Sequence, residues 1–77
     1  MAISHGYSSH IINQNKKADP KLLGVRLGRL CIKNEVPVAA VMKKLCVSKQ
    51  TVYNWFSGTS SPQNLIKPKV EAFISTL

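Results

Sequence analysis

Acidic side chains are scarce in this chain. Asp19, Glu35 and Glu71 are the three, against eleven Lys and Arg, for a net charge of +8 over 77 residues. So few and so scattered, they make no general acid–base pair, and no enzyme is expected. Cysteine is nearly absent too: Cys31 and Cys46 form neither a disulfide framework nor a zinc site. We expect both to act as small buried hydrophobes. His5 and His10 lack a third ligand, so no metal is expected. No glycine-rich loop opens a helix, so no phosphate-bearing cofactor is expected. No apolar run approaches the ~20 residues that span a bilayer, and no apolar stretch follows a positive N-terminal region. No membrane partner is therefore expected, and a reducing cytoplasm, of a bacterium or of a phage host, is the simplest location.

What the chain does contain is 44% apolar residues, ordinary for a folded domain and too high for a disordered basic tail. The length allows one small domain, which buries only about 60% of its unfolded surface. The positive charge suits nucleic acid, anionic membrane or an acidic protein, and small basic domains favour the first.

Residues 1–18 have no sustained apolar period and end in the basic pair Lys16-Lys17, so a flexible arm is expected there. The domain proper is expected over 19–77. Asp19 and Pro20 read as the cap and first position of a helix carrying Leu23, Leu27 and Leu30. Gly24 and Gly28 lie one helical turn apart on this element, a spacing that permits close approach of another helix. A second helix runs from Pro37 to Lys44, with Val38, Val41, Met42 and Leu45 as its apolar stripe. Ser48 caps a third, whose inward residues are Val52, Trp55 and Phe56, and Gly58 ends it in a left-handed conformation. The stretch 62–66 reads as a turn or a short helix. Pro68 starts a last helix with the stripe Val70, Phe73, Ile74 and Leu77, which packs on the core or pairs two copies. No alternating strand pattern occurs. The expected fold is all-α, with four or five short helices.

The informative stretch is Val36 to Gly58, two short helices joined by a tight turn, the second with an exposed polar start. That is the helix-turn-helix arrangement, in which one helix braces another against the major groove. The run from Leu45 through Cys46, Val47, Ser48, Lys49, Gln50, Thr51, Val52, Tyr53 and Asn54 to Trp55 resembles the LGVSxxTVxxW core of the XRE family, which includes the lambda repressor and Cro. Leu23-Gly24 with Leu27 and Leu30 resembles that family's first helix, and Ser57-Gly58 followed by Pro62 its post-recognition loop. Three positions depart from the pattern. Cys46 stands where a turn glycine is usual, Met42 where a small Ala lets the helices approach, and Val38 where a Gln touches phosphate.

The resemblance implies a lambda-repressor-like domain that regulates transcription by binding double-stranded DNA sequence-specifically, with about 48–57 as the recognition helix. It places Lys49, Gln50, Tyr53 and Asn54 toward base edges or flanking phosphates. It gives Ser48 to the cap and a phosphate, Thr51 to a thymine methyl or the helix rim, and Ser57, Thr59 and Ser60 to backbone phosphates. A homodimer on a two-fold related site follows from the few base contacts one domain makes. The size resembles that of phage or mobile-element regulators. Two rivals fit the same helix pair: a module that docks on RNA polymerase or a replication protein, and a DNA-bending recombination accessory protein.

Overall fold

The computed structural model describes residues 7–77. It orders five helices along the chain: α1 (Ser9–Lys17), α2 (Leu23–Lys33), α3 (Val38–Leu45), α4 (Lys49–Ser57) and α5 (Lys67–Ser75). No strand forms among the described residues. The Cα radius of gyration is 11.1 Å, in line with about 11–12 Å for a compact chain of this length.

The arm expected over residues 1–18 is corrected here: residues 9–17 are a helix, and Tyr7 ahead of it is fully buried. Residues 1–6, with His5, lie outside the described residues. Ser8 caps α1, its hydroxyl accepting from the Ile11 N–H at 3.3 Å. Lys16 and Lys17 stand in the last turn, where cations complement the helix dipole. The inward side of α1 is Ile11 and Asn15, too small and too polar to register as an apolar stripe. Asn15 is 2% exposed. Its Nδ2 donates to the Phe56 carbonyl at 2.8 Å and the Val25 carbonyl at 3.2 Å. Phe56 sits in the last turn of α4, where carbonyls lose their helical partners. The buried amide thus satisfies an oxygen that would otherwise be stranded, and it ties α1 to α4.

The helix start expected at Asp19 is also displaced. The Asp19 carboxylate accepts from the Lys21 N–H at 2.9 Å, closing a turn, and α2 begins at Leu23. Along α2, Gly24, Val25, Leu27, Gly28 and Cys31 are buried. The two glycines of α2 lie where no Cβ would fit without displacing a neighbour. A Cβ at Gly24 would lie 2.7 Å from Trp55 Cβ and 2.8 Å from the Trp55 carbonyl oxygen. One at Gly28 would lie 2.7 Å from Phe56 Cγ and 2.6 Å from Asn15 Nδ2. The close helix approach anticipated from the spacing is therefore between α2 and α4.

Two of the helices end on non-glycine residues with left-handed backbone. Glu35 (φ 59°) follows α2, where the Val36 N–H reaches back to the Cys31 carbonyl at 2.8 Å. Cys46 (φ 56°) follows α3, where the Val47 N–H reaches back to the Met42 carbonyl at 3.2 Å. Both are the six-to-one closure usually made by glycine. Nothing in the side chain of Glu35 signals it. The thiol of Cys46 is exposed, which corrects the expectation of a buried hydrophobe; that of Cys31 is buried.

The α5 stripe packs inward. Val70 is fully buried, and Phe73, Ile74 and Leu77 lie against the core formed by α1–α4. Tyr7 joins the same core with its ring centroid 5.4 Å from that of Phe56. Its hydroxyl is buried, with the Cys31 thiol as its polar neighbour. Burial drives the Tyr7 pKa upward and pushes Cys31 from near 9 to about 12, a rise that the neighbouring hydroxyl only partly offsets.

Two tests follow from this packing. A Gly-to-Ala change inside a helix ordinarily stabilises by about 0.5–1 kcal/mol. Here Gly24→Ala and Gly28→Ala should each destabilise by about 1–3 kcal/mol, read as a lower urea midpoint at unchanged slope; an unchanged or higher midpoint would refute the close approach. In native protein a thiol reagent should modify Cys46 while Cys31 reacts only as the fold opens. Because the unfolded chain ionises Cys31 first, its contribution to stability is full below about pH 9 and falls as pH rises toward 12. Cys31→Ala should flatten that alkaline decline in a pH series of denaturation curves.

Candidate nucleic-acid interface

Helix α4 is apolar on one side and polar on the other because its sequence alternates the two at helical spacing. Val52, Trp55 and Phe56 are buried, with α4 packed against α1, α2 and α3. Trp55 is core, as expected. Lys49 and Gln50 are exposed, and Tyr53 and Asn54, one turn further on, are half-buried. These four residues stand at i, i+1, i+4 and i+5 and so form one continuous arc, with Gln50 and Asn54 opposite the buried residues and Lys49 and Tyr53 at the edge, where Tyr53 packs partly against the core.

The start of the helix is fixed by Ser48. Its backbone is extended (φ −76°, ψ 161°), and its hydroxyl accepts from the Thr51 N–H at 3.2 Å. The same hydroxyl pairs with Thr51 Oγ1 at 2.9 Å. Ser48 and Thr51 are thus a mutually bonded pair at the N-terminal rim. The helix carries no acid in its first turn. Its leading N–H groups and the Lys49 ammonium therefore present unopposed positive potential.

On the polar side, two contacts arrange the side chains. The Lys49 ammonium lies 5.9 Å from the centroid of the Tyr53 ring, a cation–π geometry that lays the lysine along the helix. Gln50 Nε2 donates to Asn54 Oδ1 at 2.9 Å. That bond uses a donor of Gln50 and an acceptor of Asn54, and turns the Gln50 carbonyl oxygen and the Asn54 amino group into the free ends of one unit.

Ser57, Thr59 and Ser60 are gathered at the far end. Ser57 Oγ bonds to the Asn54 carbonyl at 3.3 Å and pairs with Thr59 Oγ1 at 2.9 Å, while the Ser60 N–H donates to the Asn54 carbonyl at 3.2 Å. Gly58 (φ 80°) makes the left-handed turn that brings this loop back. The nine residues expected to meet DNA therefore form three groups along α4. The capping pair and the hydroxyl loop stand at opposite ends, about 13 Å apart at 1.5 Å per residue, and the Lys49/Gln50/Tyr53/Asn54 side lies between them.

Sequence reasoning missed Asn15, which holds the last turn of α4 through the Phe56 carbonyl. An Asn in a polar run carries no signal of burial. Of the eleven basic residues, Lys49 alone is on α4; exposed Lys43 and Lys44 close the preceding helix. Among the described residues no group of three or more His, Cys, Asp or Glu gathers as a metal site. None of their helices is long and apolar enough to cross a membrane.

The turn ahead of Ser48 offers its own test. Cys46 adopts a backbone that costs an L-residue about 1–2 kcal/mol, so Cys46→Gly should stabilise the protein by about 0.5–1 kcal/mol once the extra freedom of glycine in the unfolded chain is set against it. Thermal and urea denaturation would measure it, and a loss of stability would place the strain elsewhere. In comparisons with known proteins, no family model, no curated protein and no solved structure matches this chain.

Proposed function

We propose that this protein is a sequence-specific double-stranded DNA-binding regulator of transcription, of the lambda-repressor and Cro type, with α4 in the major groove. The observation that carries the reading is the polar side of α4, held outward by a helix whose other side is locked in the core. A major groove about 12 Å wide admits such a helix. The net charge of +8 supplies the salt-sensitive attraction to phosphate.

The bonded amides give the reading its detail. The free Gln50 oxygen and Asn54 amino group form an acceptor beside a donor. Adenine presents the complementary donor and acceptor on its major-groove edge, whereas guanine presents two acceptors. The two amides therefore read as one unit rather than as two bidentate side chains. Lys49 supplies charge at the helix start. Ser48, Ser57, Thr59 and Ser60 serve phosphates at the two ends, and Thr51, bonded to Ser48, stands at the rim or meets a thymine methyl. Cys46 keeps the left-handed turn that the family builds with glycine. Val38, where the family carries a phosphate-touching Gln, is buried and cannot replace that contact.

A dimer on half-sites about 34–36 Å apart belongs to the same proposal. The α5 stripe packs on the core, so the pairing surface would lie elsewhere. The buried Val38 and the single basic residue on α4 favour one alternative, a helix pair that docks on another protein through the same polar side.

Selection of bound duplexes from a random pool tests the proposal. A consensus with two-fold symmetry is the expected result. On that consensus, Gln50→Ala should relax base preference by about 1–3 kcal/mol. Asn54→Ala added to it should cost little more, because the two act as a unit. Lys49→Ala should weaken binding to all sequences and lower the salt slope by about 1. If the pool yields no preference at moderate ionic strength, or the Gln50 and Lys49 variants bind like the parent, the proposal fails. A stoichiometric protein partner that survives nuclease and is lost in the Gln50 variant would then favour docking.

A further inference from the structure

A second basic surface lies away from the polar side of α4. Helices α1 and α2 flank a groove of about 400 Å³ lined by Ile12, Asn15 and Lys16 from one and Arg29, Ile32 and Lys33 from the other. Its apolar part is Ile12 and Ile32, both half-buried against the core. Lys16, Arg29 and Lys33 are exposed around it, and none of the three acids of the chain lines it. Arg29 is held there by neutral groups: its Nη2 donates to the carbonyls of Lys16 at 3.1 Å, Ala18 at 3.4 Å and Asn15 at 3.5 Å. The guanidinium is thereby fixed in place while its charge stays uncompensated by any lining acid.

We propose that this groove docks an acidic segment of a protein partner, seating an aliphatic side chain of that segment over Ile12 and Ile32 and its carboxylates against Lys16, Arg29 and Lys33. Charge complementarity selects the sign of the ligand, and the recessed isoleucines select its kind. A duplex backbone offers phosphates but no aliphatic group to cover them. A membrane surface is gripped by large apolar side chains projecting outward from an amphipathic helix, whereas these two are sunk in a cleft. An acidic peptide with spaced leucines offers both features at once. The groove shares no residue with the α4 surface, so the inference stands or falls independently of DNA binding. A regulator using both surfaces would hold DNA on one and an acidic partner on the other.

The test uses the full chain labelled with ¹⁵N and a synthetic peptide alternating leucine with pairs of glutamates, beside a control with serine for leucine. Amide shifts should move at Ile12, Ile32 and Lys33 on adding the leucine peptide. The serine control should bind about tenfold or more weakly, as should the leucine peptide to the Lys16→Glu/Lys33→Glu protein, with circular dichroism showing that this variant keeps its helices. The proposal is overturned if the shifts lie elsewhere, if both peptides bind alike, or if no binding appears up to about millimolar peptide. It is likewise overturned if random duplex DNA or vesicles of phosphatidylglycerol move those amides and the leucine peptide does not.

Discussion

The contact between α2 and α4 at Gly24 and Gly28 sets the rest of the structure. With no side chain at either position, the backbone of α2 lies directly on Trp55 and Phe56. Burying those two aromatics is among the larger apolar contributions available to so small a chain. Once they are buried, the phase of α4 is decided. Val52 falls inward with them, Gln50 and Asn54 are left on the opposite side, and Lys49 and Tyr53 come to lie along one edge, Tyr53 partly against the core. The arrangement of the outward residues is thus a by-product of how the inward ones pack.

The two ends of α4 are then held by different means. Ser48 starts it through a side-chain bond made within the same turn, a local device that needs no partner from elsewhere. The C-terminal end depends on Gly58 and on Asn15, forty-one residues distant from Phe56 in the chain. With its C-terminal end tied to the first helix of the fold as well as packed on α2, α4 is held more firmly while α1 stays docked. That gives α1 a structural part in whatever α4 recognises.

The all-α architecture was largely legible, because α2 to α5 each carry an apolar side at helical spacing, although only α4 ends on a conventional glycine stop. The left-handed turn at Cys46 was readable from resemblance, and the inward residues of α4 from spacing alone. What escaped has a common physical cause. Helix α1 buries one isoleucine, one asparagine and a preceding tyrosine, so its inward side is defined by partners far along the sequence and not by its own pattern. Asp19 and Pro20 are good helix openers, yet the Asp19 carboxylate closes a turn with Lys21 and the helix waits until Leu23. Glu35 adopts a glycine-like backbone that accompanies the closure between Val36 and Cys31 and has no counterpart in its residue type. Within the candidate surface, the residues were legible one by one. The bond joining Gln50 to Asn54 follows from their one-turn spacing, but its direction is a matter of geometry.

The anchorage of Arg29 has a different kind of consequence. Its three acceptors are main-chain oxygens of Asn15, Lys16 and Ala18, and every amino acid carries such an oxygen. Position 16 is accordingly free to drift without loosening that clasp, whereas position 15 is not, since the Phe56 oxygen is met by a side-chain amide, nor is position 18, whose half-buried methyl lies beside Gly58. The end of the first helix is therefore a place where this chain can exchange surface chemistry while the scaffold beneath it is preserved.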